Sequence, residues 1–426
     1  MNHEKLKKAS TWAVLFGRLR ESLWVTPVVY SVGAGALALG LLQVDEHLEG
    51  DAAAWYLYAG QAEGARSLLS TIASSTLTIA GLVFSITILV LQLASTQFSP
   101  RVLRTFLGDQ ITQRSLGVFL GSFVYTMVLL PRVRSETDTL DAFVPALAVY
   151  VAFLLALVSV SFFVLYIHHM AHSVRAVNII ARVKCETRAT IDRVYPDPHR
   201  SEPAPPSDAP SRAPDRVIEN RDAGGVLVSV DEADLLDIAT RDDLVIEVVP
   251  RVGDFVPEGA PLFRVWGSSE DEARSCEACV ALAEERTMHQ DAIFGFQQLT
   301  DIAVRALSPG TNDPSTAAQV LDQLHDLLRV LVVRAIPSPT RADDAGVLRL
   351  ILPRPNFGDY VRVSFEEVRS YGAGSVQVVR RMRAAIRDLI DVAPPDRARD
   401  LRRELELLGR AAERGLPPEL AASAQA

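Results

Sequence analysis

The chain has 426 residues, of which 49% are hydrophobic and 22% charged, and the apolar residues are concentrated before about residue 170. This distribution is typical of a protein that is part membrane-embedded and part soluble, and it argues against a wholly soluble enzyme. The net charge of -9 gives no electrostatic basis for a nucleic-acid partner, and three cysteines argue against a disulfide framework.

Four apolar stretches predict membrane-spanning helices, because about 20 apolar residues are needed to cross the hydrocarbon layer of a bilayer. The predicted spans are residues 24–42, 67–96, 115–130 and 143–167. The third stretch is short for a span. None of the four contains a charged residue, as the cost of burying charge in lipid requires.

Basic residues lie before the first span, between the second and third spans, and after the fourth. They are Lys5, Lys7, Lys8, Arg18, Arg20, Arg101, Arg104, Arg114, Arg175, Arg182 and Lys184. The other two connections are mostly acidic. Because cytosolic loops carry the excess of lysine and arginine, both termini are predicted to lie in the cytosol.

The second span carries an unusual number of hydroxyl groups, and most of them lie on one side of the predicted helix. At about 100° per residue, eight positions fall within a sector about 80° wide. These positions, which we call the hydroxyl stripe, are Ser67, Ser70, Ser74, Thr78, Gly81, Ser85, Gln92 and Thr96. One apolar residue, Ile88, lies on the same line, whereas Thr71, Ser75, Thr76 and Thr87 lie off it.

Two interpretations of the hydroxyl stripe are open. Small and hydroxylated residues let helices pack closely and form hydrogen bonds between them or back to their own backbone. Alternatively, the stripes of several subunits face a common axis and line a water-filled pore, where uncharged hydroxyls wet the path without trapping an ion. In such a pore, a ring of Ile88 side chains would form an apolar gate.

The remaining spans contain small residues at a spacing that favours close helix packing. Gly117 and Gly121 form a G-x-x-x-G motif in the third span, and Ala36 and Gly40 have the same spacing in the first. Beyond the fourth span the helical pattern continues through residues 168–194, which predicts a helix that projects from the membrane.

Two short patterns after the spans resemble metal sites but lack ligands. His168 and His172 stand at i and i+4 without a carboxylate or a third ligand, which makes a poor metal site. Cys276 and Cys279 form a single C-x-x-C without a second pair, which supports neither zinc binding nor redox chemistry. We therefore expect no metal centre.

The region after residue 220 changes character. Alternating runs such as VLVSV and LVIEVV predict a small all-β module, and the segment VGDFVPEGAPLF resembles biotinyl- and lipoyl-type barrel-sandwich domains. The module contains no lysine, so the resemblance implies a fold and no swinging-arm cofactor. Residues 347–364 predict a hairpin or extended segment, and residues 365–420 predict two or three amphipathic helices.

The segment SPGTNDP at residues 308–314 connects two predicted helices. Asp313 followed by Pro314 is a favourable start for a helix, and a capped helix N-terminus can also hold an anion. Both interpretations are open, as a tight connection or as a ligand loop. The chain lacks the phosphate-loop, dinucleotide-binding, H-E-x-x-H and G-x-S-x-G motifs, so we expect no enzyme activity.

Three segments resemble one known family. They are FSPRVLRTFLGDQITQRSLGVFLGSFVYTMVLL (98–130), GDFVPEGAPL (253–262) and DIAVRALSPGTNDPSTA (301–317). These segments resemble the bacterial membrane proteins of the domain of unknown function 2254 family. The resemblance implies a bacterial inner-membrane protein with a cytosolic C-terminal region, and it brings no established activity and no catalytic residues.

These features predict an α-helical integral membrane protein with four transmembrane helices, both termini in the cytosol, and a cytosolic α+β region that contains a small barrel-sandwich-like β module. The predicted segments are a cytosolic N-terminal segment (1–23), the transmembrane domain (24–170), a projecting helix (171–195), a Pro-rich linker (196–220), the β module (221–268) and a helical α+β domain (269–426).

Two functions from different classes fit this architecture. The first is a homo-oligomeric channel in the lipid bilayer, in which the second span lines the pore, the cytosolic modules form a vestibule or gating ring, and an ion is the permeant partner. Acidic external loops would give it a weak preference for cations. The second is a membrane-anchored sensor or scaffold whose cytosolic region binds a protein or a small ligand.

Overall fold

The computed structural model describes residues 24–48, 61–97, 109–135, 143–173, 175–196, 210–267 and 273–420. The chain divides into two compact units, residues 1–175 and residues 176–426, which we call the membrane-helix unit and the α+β unit. The predicted N-terminal segment, most of the predicted linker and the basic loop at 98–108 lie outside the described residues.

The membrane-helix unit contains, in its described part, four helices that are long and apolar enough to cross a membrane. They are α1 (Val25–Leu48), α2 (Ala62–Gln97), α3 (Gln110–Leu129), which continues into one turn of 3-10 helix at Leu130–Arg132, and α4 (Ala146–Ser173). Each predicted span falls on one of these helices. The short third span is confirmed, because it belongs to a candidate membrane helix that runs from Gln110 to Arg132.

Helix α3 lies at the centre of this unit and contacts α1, α2 and α4. Half of its apolar segment is buried, compared with 17% for α1 and 22% for α4. The G-x-x-x-G motif explains the closeness of α1: a Cβ at Gly117 would lie 2.9 Å from Cγ of Tyr30, and one at Gly121 would lie 3.3 Å from the Tyr30 carbonyl oxygen. The predicted close helix contact is therefore confirmed, with α1 as the partner.

The second small-residue pair has no such neighbour. No described atom lies within 4 Å of a Cβ built at Gly40, and Ala36 is exposed. The Ala36–Gly40 spacing therefore does not serve helix packing within the described part of the unit.

Buried polar contacts fix the ends of the helices. Both carboxylate oxygens of Asp45 at the end of α1 accept hydrogen bonds from the first turn of α4, from the backbone N–H of Leu147 (3.1 Å) and of Ala148 (2.9 Å). A carboxylate at this position accepts hydrogen bonds from N–H groups that have no partner within α4. Its negative charge is also attracted to the positive end of the α4 dipole. The Arg66 guanidinium in α2 donates to the Val133 carbonyl oxygen at 2.7 and 3.0 Å.

The predicted projecting helix differs from the structure. Helix α4 ends at Ser173, and a separate helix, α5 (Ala176–Val194), begins the α+β unit. The continuous helix expected across residues 168–194 is therefore wrong. Residues 172–175 contain no proline or glycine, so no local pattern indicates the end of α4.

The α+β unit contains two sheets in its described residues. The strands are β1 (Arg216–Glu219), β2 (Gly225–Val230), β3 (Val245–Val248), β4 (Phe255–Val256), β5 (Pro261–Trp266), β6 (Val280–Ala283), β7 (Thr340–Ala342) and β8 (Leu348–Ile351). One sheet has the order β1-β5-β3-β8-β7 and the other β4-β2-β6. All pairings are antiparallel except that of β3 with β8.

Strands β2, β3, β4 and β5 lie within residues 221–268, and they pair with strands from outside that range. Strand β1 begins inside the predicted linker, β6 follows the module, and β8 comes from about 100 residues later in the chain. The predicted extended segment at 347–364 ends at Ile351, because Asn356 starts a helix with a reciprocal capping box to Asp359.

Helices complete the α+β unit. They are α6 (Glu232–Arg241), α7 (Ala273–Ala278), α8 (Ala292–Ala306), α9 (Pro314–Leu331), α10 (Phe357–Gly372), α11 (Val376–Val392) and α12 (Pro395–Gly415). The last three confirm the predicted C-terminal amphipathic helices. Leu321, Leu324 and Leu328 of α9 are fully buried, as their spacing indicates.

Two glycines in helices of this unit give a matched test of packing. A Cβ at Gly295 in α8 would lie 2.7 Å from Cγ2 of Thr187 in α5, whereas a Cβ at Gly409 in α12 would meet no described atom within 4 Å. We expect Gly295→Ala to lower the free energy of unfolding by about 1–3 kcal/mol through overpacking. Gly409→Ala should raise it by up to about 1 kcal/mol, because alanine is the better helix former.

Thermal unfolding of the detergent-solubilised full chain, followed by tryptophan fluorescence, measures both changes. Equal melting temperatures for the two variants would contradict the close α5–α8 contact.

Candidate functional site: the exposed face of α2

The hydroxyl stripe lies on the side of α2 that the described chain leaves uncovered. Its members from Ser67 to Gln92 are all exposed, and Ile88 is 48% exposed on the same line. Thr96 belongs to α2, but its side chain lies outside the described residues. Burial against neighbouring helices of the same subunit, one form of the packing interpretation, is therefore not what the described residues show.

The buried face of α2 is on the opposite side of the helix. It consists of Ala62, Ala65, Leu69, Ile72, Ala73, Thr76, Ala80, Val83, Thr87 and Val90. Four of them, Ala62, Ala65, Leu69 and Ile72, pack in a cluster with α1, α3 and α4. Ala80, Val83 and Val90 pack in a second cluster with Phe119 of α3 and Tyr166 of α4. On a helical wheel this face is centred about 180° from the centre of the stripe.

Three hydroxyls of the stripe bond to the backbone of α2 itself. The Oγ1 of Thr78 donates to the carbonyl oxygen of Ser74 (2.8 Å), Ser85 Oγ donates to that of Gly81 (2.9 Å), and Ser74 Oγ donates to that of Thr71 (3.1 Å). Each hydroxyl oxygen keeps its lone pairs on the uncovered side. The stripe therefore presents acceptors to whatever lies beside it.

The two buried hydroxyls of α2 lie off the stripe and serve packing. Thr76 bonds back to the carbonyl oxygens of Ile72 and Ala73. Thr87 Oγ1 lies 2.9 Å from the Tyr166 hydroxyl of α4, which also donates to the Val83 carbonyl oxygen. Of these two hydroxyls, that of Thr87 forms a hydrogen bond to a neighbouring helix.

The other patterns singled out in the sequence have structural roles. Asp313 caps α9 by accepting from the backbone N–H groups of Ser315 and Thr316, and these bonds together with the Thr316 hydroxyl lower the pKa of Asp313. Its own N–H donates to the Ala306 carbonyl oxygen at 2.7 Å, which closes a tight connection between α8 and α9.

The structure places the cysteine pair in a hydrophobic core and the histidine pair at the end of α4. Cys276 and Cys279 are buried in the hydrophobic core with strands β2, β3 and β5. Burial raises the pKa of Cys279 to about 12, which disfavours the thiolate that metals bind. The rings of His168 and His172 pack edge to face with centroids 4.6 Å apart. No group of three metal-ligating residues occurs in the described part of the chain.

Sequence reasoning missed a cleft in the α+β unit. The cleft has a volume of about 310 Å³ and is lined by residues from α5, α6, β3 and β7, by the segments that precede α8 and follow β8, and by α10. Its polar groups include Arg354, Arg341 and Glu232, and in its wall the Tyr195 and Tyr360 hydroxyls lie 2.7 Å apart. The one local signal was Pro353-Arg354-Pro355, an arginine between two prolines.

Asp291 is the buried carboxylate at the edge of this cleft. It caps α8 through the Phe294 N–H (3.1 Å) and pairs with Arg286 (2.6 Å). Burial raises the pKa of Asp291 despite the attraction of that guanidinium. Gly253 permits the arrangement, because its φ is +98° and a Cβ there would lie 2.8 Å from a guanidinium nitrogen of Arg286.

Four apolar helices followed by a region of two sheets and packed helices define a predicted multi-pass membrane protein. The chain belongs to the family Predicted membrane protein (DUF2254), which matches residues 20–388. It is similar to Uncharacterized protein Rv1290c of Mycobacterium tuberculosis and to Uncharacterized protein Mb1321c of Mycobacterium bovis. Each is 34% identical, over 94% of this chain and 78% of the relative. No solved structure matches the chain.

The burial of the cysteines leads to a labelling prediction. Cys185 in α5 is exposed, whereas Cys276 and Cys279 are buried. We expect a maleimide reagent to modify Cys185 in the native protein and to reach the other two only after unfolding, because both are buried and burial also raises the pKa of Cys279. Mass spectrometry of peptides labelled with and without denaturant checks this result. Equal native labelling of all three would contradict the core position of the C-x-x-C pair.

Proposed function

We propose that the protein is a homo-oligomeric channel, not an enzyme, in which the hydroxyl stripe of α2 lines the pore and Ile88 forms its gate. Both termini lie in the cytosol of a bacterium, and the chain resides in the inner membrane. The α+β unit, with its barrel-sandwich-like strands, forms a cytosolic vestibule or gating ring. The permeant species is an ion, with a weak preference for cations.

One observation carries the proposal: the stripe is the most polar face of α2, and its members from Ser67 to Gln92 are all exposed in the described chain. Lipid offers no hydrogen bonds to hydroxyl oxygens, and helices that contact lipid normally present apolar side chains to it. Water in a pore between subunits solvates such a face, and uncharged hydroxyls provide weak binding from which an ion can leave. The length of α2, 32 residues in its apolar segment, suffices for a complete path.

The gate gives the first test. Replacing Ile88 by serine should raise basal conductance in planar bilayers by about tenfold, the change that a barrier lowered by about 1.4 kcal/mol gives, because a hydroxyl ring no longer dewets the constriction. Leu82→Ser is the matched control, since Leu82 and Ile88 are both 48% exposed and Leu82 lies off the stripe. Equal currents for Ile88→Ser, Leu82→Ser and the unmodified protein would contradict this pore axis.

The cleft in the α+β unit favours a second candidate, a membrane-anchored sensor or scaffold whose cytosolic region binds a small ligand. In that case the stripes of neighbouring subunits pack together without water. Ser74→Leu and Thr78→Leu distinguish the two functions. In a channel they reduce conductance and leave the oligomer intact, whereas in a sensor they disrupt the oligomer.

The control for this pair is Ser75→Leu, an exposed hydroxyl that lies off the stripe. Mass photometry in nanodiscs gives the oligomer size, and bilayer recordings give the conductance. Loss of the oligomer in Ser74→Leu and Thr78→Leu, without any current from the unmodified protein, would replace the channel by the sensor.

A further inference from the structure

The cleft of the α+β unit lies where the only parallel strand pair of the described sheets ends. Val248 is the last residue of β3 and Leu352 follows β8, and both line the cleft. The carboxyl ends of parallel strands are the edge at which α/β proteins place ligands, because the chain leaves both strands there in the same direction. The volume of about 310 Å³ is that of a small-molecule pocket.

Arg354 is held in place at this edge before any ligand arrives. Pro353 and Pro355 restrict the backbone on both sides of it, and its Nη2 donates to Oε2 of Glu232 at 2.5 Å. The Nε of Arg354 is buried and has no hydrogen-bond partner among the described residues. A buried charged donor without an acceptor is costly, so this nitrogen indicates an acceptor that the described residues do not supply.

A second guanidinium lies on the same side of the cleft. The Nη2 of Arg341 is 3.7 Å from the same Oε2 of Glu232, so one carboxylate is shared between two arginines. The other carboxylate of the cleft, Asp291, is already paired with Arg286. Arg193 adds a third cationic side chain at the rim. The cleft therefore holds positive charge that its own carboxylates do not balance.

The cleft also has an apolar lining, which we call the Val248–Leu352 wall. Val248 and Leu352 are buried, and Val252, Pro250 and Pro337 extend their surface. The two prolines add apolar surface without a backbone N–H donor. The cleft therefore combines two arginines with an apolar lining.

We propose that this cleft binds a small organic anion, a carboxylate or phosphate carried on an apolar body, with Arg354 and Arg341 on the anionic group and the Val248–Leu352 wall on the body. Arginine suits this task because its planar fork donates two parallel hydrogen bonds to such oxygens. The inference gives the second candidate function its class of ligand. It does not depend on the pore, and its test measures binding without current, so either proposal can fail alone.

The test is calorimetric titration of the full chain in phosphatidylcholine nanodiscs with phenyl phosphate, inorganic phosphate and benzyl alcohol. Phenyl phosphate should bind more tightly than the other two, because it alone has both an anionic group for the arginines and an apolar body for the Val248–Leu352 wall. Arg354→Gln and Arg341→Gln should each weaken it by about tenfold through loss of a charge-assisted contact. Arg264→Gln is the matched control, since Arg264 pairs with Glu247 outside the cleft. This variant should bind phenyl phosphate with the same affinity as the unmodified protein.

Glu232→Gln separates recognition from structural damage. It removes the carboxylate that competes with the ligand for both arginines, so phenyl phosphate should bind more tightly, a gain that a misfolded cleft cannot give. Absence of saturable binding, or equal affinities for Arg341→Gln and Arg264→Gln, would overturn the proposal.

The source of the anion is resolved by a second arm in which the nanodiscs contain phosphatidylglycerol. Competition with phenyl phosphate assigns the site to a lipid headgroup. Unchanged binding assigns it to a soluble anion. Either result supports the anion site only where Arg354→Gln has also weakened phenyl phosphate binding.

Discussion

The packing of α3 at the centre of the membrane-helix unit is the constraint on which the rest of that unit depends. Because α3 contacts α1, α2 and α4, each of the outer helices needs only one buried face. Gly117 and Gly121 bring α1 close, and α2 places its alanines and branched residues against α3 and α4. The far side of α2 is then released from any packing role within the described chain, and the serines and threonines of the stripe lie there.

The hydroxyl groups of α2 thus fall into two populations with different physical tasks. Thr87 is buried and hydrogen-bonded to Tyr166, so removing its hydroxyl would lower the stability of the fold. Thr78 and Ser85 are exposed and bonded to their own helix, so the fold gains little from them. The number of serines and threonines in the span does not distinguish these two populations. Their angular positions around the helix distinguish them.

The features that could be predicted from the sequence are those set by neighbours in the chain. The four spans followed from runs of apolar residues, the start of α9 followed from Asp313 and Pro314, and the glycine spacing in α3 correctly indicated a close helix contact. The partner of that contact was not predictable, because small residues at this spacing fit any helix. The exposure of the stripe also needed the structure, since a helical wheel gives angles and not neighbours.

What could not be predicted depends on distant segments. Strand β3 pairs with β8 about 100 residues later, and no local pattern announces such a partner. The sheet therefore includes a strand that lies far outside residues 221–268. The cleft is built from segments that lie between Arg193 and Tyr360 in the chain. Its positive charge arises because Arg341 of β7 and Arg354 of the segment after β8 share the single carboxylate of Glu232.

The pairing of β3 with β8 also sets the order in which the chain can fold during synthesis. Once β5 has also left the ribosome, it can pair with one edge of β3, but the residues for the other edge have not yet been made. Helices α8 and α9 must be translated before β8 arrives, and loop closure over such a distance is slow. Until then β3 is an open edge strand, which is a template for association with other chains. Chains that stop before Leu348 would keep that edge, so premature termination favours aggregation over a smaller folded product.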